Sequence, residues 1–267
     1  MSNLSGLARK YKSDKFGAHF YTPIYEKYMR EKKNTKVNIL EIGVGGWSHK
    51  KGYSDPFKGG ESLKMWRDYF KNGKVYGLDI FKKELNLGNR VKIFQGSQDD
   101  RRILSKIIKQ SGKLDYIVDD GSHLYKDVVF SFNYLFNNLK NGGFYFIEDI
   151  QTSYLREFGG DGFYLQNKNT IINYFKEIID KINHKEIENP FYEIDEIAKN
   201  VTEVHFYHNL IVIKKEKNTE LSTILVNNRR LVSGKKLLGL RSFIKNTKYA
   251  FLYFKSKINY FLDIIKI

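Results

Sequence analysis

Apolar residues along this chain follow two alternating rhythms. Short β-branched and aromatic runs at residues 37–42, 75–79, 91–94, 116–118 and 144–147 each meet a glycine or an acid at or within two residues of their end. That is the pattern of buried parallel strands bounded by turns. Between the runs the spacing becomes helical. Leu63, Trp66 and Phe70 recur at three- and four-residue steps behind Ser62, which reads as an N-cap, and helices are predicted over about 101–109 and 128–139. Thr22-Pro23 reads as an N-cap followed by proline at the first helical position, opening a helix over 24–30 within an N-terminal helical cap, residues 1–35. Strand alternating with helix predicts an α/β domain over residues 1–220, a doubly wound, mostly parallel seven-stranded sheet with ligands outside the carboxyl ends of its strands. Residues 202–215 are apolar and β-rich, and close the sheet as an antiparallel hairpin or run as one long strand.

The last part of the chain has a different rhythm. Leu237, Leu240, Ile244, Thr247, Phe251, Phe254, Ile258, Phe261 and Ile265 follow alternating steps of three and four, an apolar seam on a predicted basic amphipathic helical tail over 221–267. Ten lysines and arginines against Asp263 give this tail +9 of the chain's net +16. Such a helix can dock on its own domain, pair with a second copy in a homo-oligomer, or make peripheral contact with an anionic membrane.

Charge concentrated in the tail weakens a nucleic-acid reading, so no nucleic-acid partner is expected. The absence of cysteine among the 267 residues removes disulfides, a thiolate nucleophile and zinc–sulfur sites. No stretch approaches the roughly 18 apolar residues of a membrane span, and the first residues lack a signal-peptide run, so a cytoplasmic enzyme is expected.

Every polar motif falls at a predicted strand end. Glu41-Ile42-Gly43-Val44-Gly45-Gly46 is a glycine-rich turn after the first strand, and Asp79 ends the second, placed to accept hydrogen bonds from a ribose diol. Ser48 stands where a dinucleotide fingerprint has its third glycine, which favours S-adenosylmethionine over a pyrophosphate-bearing cofactor. A structural turn with a solvated aspartate is the plainer alternative. Asp119-Asp120-Gly121-Ser122-His123 and Glu148-Asp149 end two strands expected to lie side by side. Each acid alone also reads as a helix cap or a solvated loop acid. Crowded at one rim, such carboxylates repel unless a cation sits among them, and oxygen ligands favour Mg²⁺ or Mn²⁺. His123 is then free to act as a general base. Asn189-Pro190-Phe191-Tyr192 imitates a base-methylation motif but lies away from the strand end where that chemistry needs it. His205 and His208 read as packed or hairpin-edge residues.

With these residues in hand, the chain resembles the class I S-adenosylmethionine-dependent methyltransferases, and within them the metal-dependent sugar O-methyltransferases of macrolide tailoring, the mycinamicin/macrocin type. The resemblance runs from about residue 11 to 215. It rests on Ser13-Asp14-Lys15-Phe16-Gly17 with His19 and Tyr21-Thr22, on the glycine turn, and on Gly60-Glu61-Ser62-Leu63-Lys64-Met65-Trp66. Gln95-Gly96-Ser97-Gln98, the motif 119–123 and Ile147-Glu148-Asp149-Ile150-Gln151-Thr152-Ser153-Tyr154 complete it. It implies that Asp120, Glu148 and Asp149 hold Mg²⁺ and that His123 is the catalytic base. It further implies that Asp79 binds the ribose, that Gln98 lies near the adenine, and that Glu41, Gly43, Gly45, Ser62 and Asp119 surround the rest of the cofactor. The acceptor it implies is a sugar with adjacent hydroxyls. The macrolide enzymes' additional N-terminal domain has no counterpart in this sequence, so a sugar nucleotide or surface-polysaccharide precursor is expected ahead of a macrolide. An RNA methyltransferase, and an inactive subunit that retains the cofactor, are the competing readings.

Overall fold

The computed structural model describes residues 3–48, 53–187, 189, 191–222, 225–226, 229–230, 247–248, 251–252, 254–255 and 258. Seven strands form one sheet: β1 (Asn38–Ile42), β2 (Lys74–Asp79), β3 (Val91–Gln95), β4 (Leu114–Asp119), β5 (Leu139–Glu148), β6 (Val201–Tyr207) and β7 (Leu210–Lys215), in the order β3-β2-β1-β4-β5-β7-β6. β1 to β5 run parallel and β7 is antiparallel to both β5 and β6. The 202–215 stretch is therefore a hairpin, turning at His208-Asn209 with Asn209 in the left-handed region at φ +60°.

Strand parity sorts the core into two layers. Leu40, Ile42, Tyr76, Leu78, Ile117, Tyr145 and Ile147 pack against α4 (Arg101–Ser111), α5 (Tyr125–Leu135) and α6 (Ile171–Lys176). Ile39, Val75, Tyr116, Val118 and Phe146 face the other way, against α1 (Leu4–Tyr11), α2 (Thr22–Met29) and α3 (Glu61–Tyr69). The same alternation decides where the acids point. Glu41 and Glu148 share the face of Ile39 and Phe146, whereas Asp119 shares the face of Ile117.

Several local expectations are corrected. Gly60, at φ +76°, is the residue before α3, because its N–H closes onto Val44 O at 2.7 Å; Ser62 lies inside the first turn and donates to Glu41 Oε2 at 2.7 Å instead of capping. Thr22 is the first residue of α2, and its hydroxyl pairs with Ser5 Oγ at 2.8 Å. α5 stops at Leu135, since β5 already begins at Leu139.

The expected tail opens on paired strands, Leu225–Val226 against Arg229–Arg230, rather than on a helix. Of its seam, Thr247, Phe251, Phe254 and Ile258 are helical and exposed. Leu237, Leu240, Ile244, Phe261 and Ile265 lie outside the described residues. Among the described residues no helix is long and apolar enough to cross a membrane.

Candidate active site

β1 and β4 are neighbours whose chains depart to opposite sides of the sheet, which opens a crevice at their carboxyl ends. The loops there interlock closely. Asp120 N–H donates to Ile42 O at 2.9 Å and Gly43 N–H donates to Leu78 O at 2.8 Å. A Cβ on Gly43 would lie 1.9 Å from Asp120 O, so the approach of the two loops requires glycine there. Gly45, at φ +76°, borders open space: an added Cβ would meet nothing within 4 Å. Asp79 ties the turn down, accepting Val44 N–H on Oδ2 at 3.0 Å and Phe81 N–H on Oδ1 at 2.8 Å.

Two residues expected around the cofactor form a buried brace. Asp119 accepts from Ser131 Oγ at 2.7 Å, from Tyr145 OH at 3.0 Å and from Gln98 Nε2 at 3.1 Å. Burial pushes the Asp119 carboxyl up to about 6 against these donors. Gln98 Oε1 accepts Ser122 N–H at 2.7 Å and leaves no room for a side chain at Gly121, whose Cβ would lie 2.0 Å from it. Through Asp119 and Gln98, α5, β5 and the loop after β3 set the position of the 120–123 loop.

The remaining acids form two groups that share Asp120. In the outer one, a ligand atom from each of Asp120, His123 and Asp149 lies within 4.8 Å of the others. His123 Nε2 is 3.8 Å from both Asp120 Oδ1 and Asp149 Oδ2. His123 and Asp149 are both left-handed, at φ +56° and +53°, a conformation that costs a non-glycine residue about 1–2 kcal/mol and aims both side chains into the crevice. In the inner group, Glu41, Asp120 and Glu148 approach as closely. The three ligands expected of the metal thus fall on both sides of Asp120, with Glu148 inside and Asp149 outside.

The N-terminal segment completes the site, which the sequence reading did not assign to it. Lys15 Nζ lies between Asp120 Oδ2 and Glu148 Oε1, at 2.8 and 2.7 Å. Tyr25 OH donates to Glu148 Oε1 as well. Tyr21 OH donates to Asp149 Oδ1 at 2.7 Å, and His19, stacked on Tyr21 at 4.8 Å, places Nδ1 3.8 Å from the same oxygen. The only available signal was the Ser13–Tyr21 motif itself, which carries no chemistry until it is folded over the acids.

Burial pushes Glu41, Asp120 and Glu148 above the usual carboxylate range, with Lys15 pulling the other way. A crevice with more buried acid than counter-charge suits a further cation. Its carboxylate oxygen donors fit Mg²⁺ or Mn²⁺.

No family model matches the chain. It is 38% identical over 220 residues to the mycinamicin VI 2''-O-methyltransferase of Micromonospora griseorubida, covering 82% of this chain and 54% of that one. With the demethylmacrocin O-methyltransferase of Streptomyces fradiae it shares 36% identity over 220 residues, again 82% and 54%. The solved MycE methyltransferase of the mycinamycin pathway, in complex with Mg and SAH, superposes with a TM-score of 0.78 at 36% identity, over 85% of this chain and 58% of that one. The chain spans about half the length of the curated relatives it matches. Across the region they share, the chain has the class I methyltransferase fold and is similar to these O-methyltransferases.

Proposed function

We propose that the chain transfers a methyl group from S-adenosylmethionine to a hydroxyl of a sugar. The observation that carries this reading is His123 Nε2 set between two carboxylates at 3.8 Å from each, at the mouth of the crevice between β1 and β4. Two relatives' names support the acceptor class, since they describe O-methyltransferases of a rhamnosyl-bearing tetracenomycin and of L-olivosyl-oleandolide.

The glycine turn with Gly43 and Gly45, the carboxylate of Asp79, and Ser62 with Glu41 surround the place for the cofactor. Gln98 and Asp119 act from behind, by fixing the 120–123 loop. Asp120 and Asp149, with Glu148 contributing from the inner side, would hold the divalent cation. When bound, that cation supplies Lewis acidity that lowers the pKa of a neighbouring hydroxyl.

His123 accepts the hydroxyl proton at Nε2, and its left-handed backbone keeps the ring in the crevice. Holding acceptor oxygen and methyl in line supplies much of the remaining acceleration. The Phe158 ring, centred 6.4 Å from that of His123, gives the acceptor an apolar wall. The acceptor sugar we propose is part of a sugar nucleotide, a surface-polysaccharide precursor or a natural product. Incubating the full chain with S-adenosylmethionine, Mg²⁺ and a panel of such sugars, against bulk RNA, tests the reading by mass spectrometry. A methylated sugar supports it, and methylation of RNA alone overturns it.

A further inference from the structure

Glu41, Asp120 and Glu148 enclose a cation that belongs to the chain itself. Lys15 Nζ lies 2.8 Å from Asp120, 2.7 Å from Glu148 and 3.1 Å from Glu41 Oε1, and its side chain is 1% exposed. Glu41 Oε1 meets the ammonium as an ion pair. Burying a charge is tolerated only against well-placed partners. Three carboxylate oxygens within 3.1 Å supply those partners to the Lys15 ammonium. The backbone holds the residue in place too: Lys15 O accepts Tyr21 N–H at 3.1 Å and Thr22 N–H at 3.2 Å, at the start of α2.

The ammonium also divides its neighbours' oxygens. Asp120 gives Oδ2 to Lys15, while Oδ1 is the oxygen nearer His123. Glu148 receives both Lys15 and the Tyr25 hydroxyl on the one oxygen Oε1. Each carboxylate is thereby turned, with one oxygen engaged inward.

We infer that Lys15 is a positioning residue, a built-in cation that neutralises the inner acids and fixes which oxygens of Asp120 and Glu148 face the crevice, so that a divalent cation enters at the outer position alone. The placement of the divalent cation rests on the proposed function; the counter-ion role does not. Fixing a ligand's orientation from behind is how outer-shell partners tune a metal site.

The test combines thermal unfolding in EDTA with Mn²⁺ titration followed by EPR, on the full chain, Lys15→Ala and Lys15→Ala/Glu148→Gln. Chelated wild type is expected to stay folded, and to bind one Mn²⁺ per chain when titrated. Lys15→Ala in EDTA should lose about 10 °C in Tm, regain most of it with Mn²⁺, and bind a second Mn²⁺ among the vacated acids. The double variant restores the net charge and should recover Tm in EDTA. A purely packing role predicts the same loss with and without Mn²⁺, one Mn²⁺ per chain, and no recovery in the double variant; any of these overturns the inference. If Lys15→Ala does not fold, the double variant and wild type decide: a double variant that also fails, or chelated wild type that unfolds, refutes it. A wild type that binds no Mn²⁺ but shows the Tm pattern would refute the metal reading and leave the counter-ion role standing.

Discussion

The phenol of Tyr21 donates to Asp149 Oδ1 at 2.7 Å, joining the N-terminal segment to the end of β5 across 128 positions of sequence. Because Asp149 is also held at φ +53°, this bond is part of what keeps its carboxylate beside Asp120. Tyr21→Phe preserves the ring and removes the donor. Mn²⁺ affinity should fall by about 10- to 100-fold with Tm nearly unchanged. Isothermal titration checks it, and wild-type affinity would separate Tyr21 from the site.

Gly43→Ala should harm fold and site together. Its Cβ would lie 1.9 Å from Asp120 O, and the position is at φ +88°. Strain and overpacking predict a loss of roughly 2–4 kcal/mol in urea unfolding, with weakened cofactor binding. A loss below about 1 kcal/mol would mean that the loops part without cost.

His123 and Asp79 should fail in opposite ways. His123→Ala is expected to lower kcat by roughly 10²–10⁴ while leaving cofactor affinity intact. Asp79→Ala should weaken cofactor binding before it slows chemistry, since its oxygens also hold Val44 and Phe81 in the turn. Equilibrium binding of S-adenosylhomocysteine beside single-turnover rates distinguishes them. Near-wild-type turnover by His123→Ala would hand the proton to another group.

Asp119 gives a pH signature of stability. Its carboxyl is raised from 3.8 to about 6 by burial, so the folded state binds the proton more tightly than the unfolded chain does. Its contribution is most favourable below pH 3.8 and declines as pH rises to about 6, by about 3 kcal/mol. Asp119→Asn should lack that decline. Denaturant unfolding of both proteins in EDTA, at steps between pH 4 and 7, tests it; parallel curves would contradict the assignment.

What was legible in the sequence was local. Strand runs ending in Gly43, Asp79, Asp119 and Glu148 announced the sheet and its active edge, because period-two burial and strand-end polarity are written in adjacent residues. Lys15 was not legible. Its partners Asp120 and Glu148 lie 105 and 133 positions away, and nothing local marks a lysine for burial. Ser62 looked like a cap because the cap rule sees only the next turn, whereas its partner Glu41 lies on β1. Asp119 and Asp120 look equivalent in sequence, yet parity sends one into the Ser131–Tyr145 brace and the other to the crevice.

The central claim is a cation-assisted methyl transfer to a sugar hydroxyl at the Asp120–His123–Asp149 crevice. Its most direct test is turnover of S-adenosylmethionine with an accepted sugar before and after exhaustive chelation, with cofactor binding measured on the same samples. The account predicts that EDTA abolishes turnover, that Mg²⁺ or Mn²⁺ restores it, and that S-adenosylmethionine binding persists throughout. Undiminished turnover in the chelated protein would contradict it.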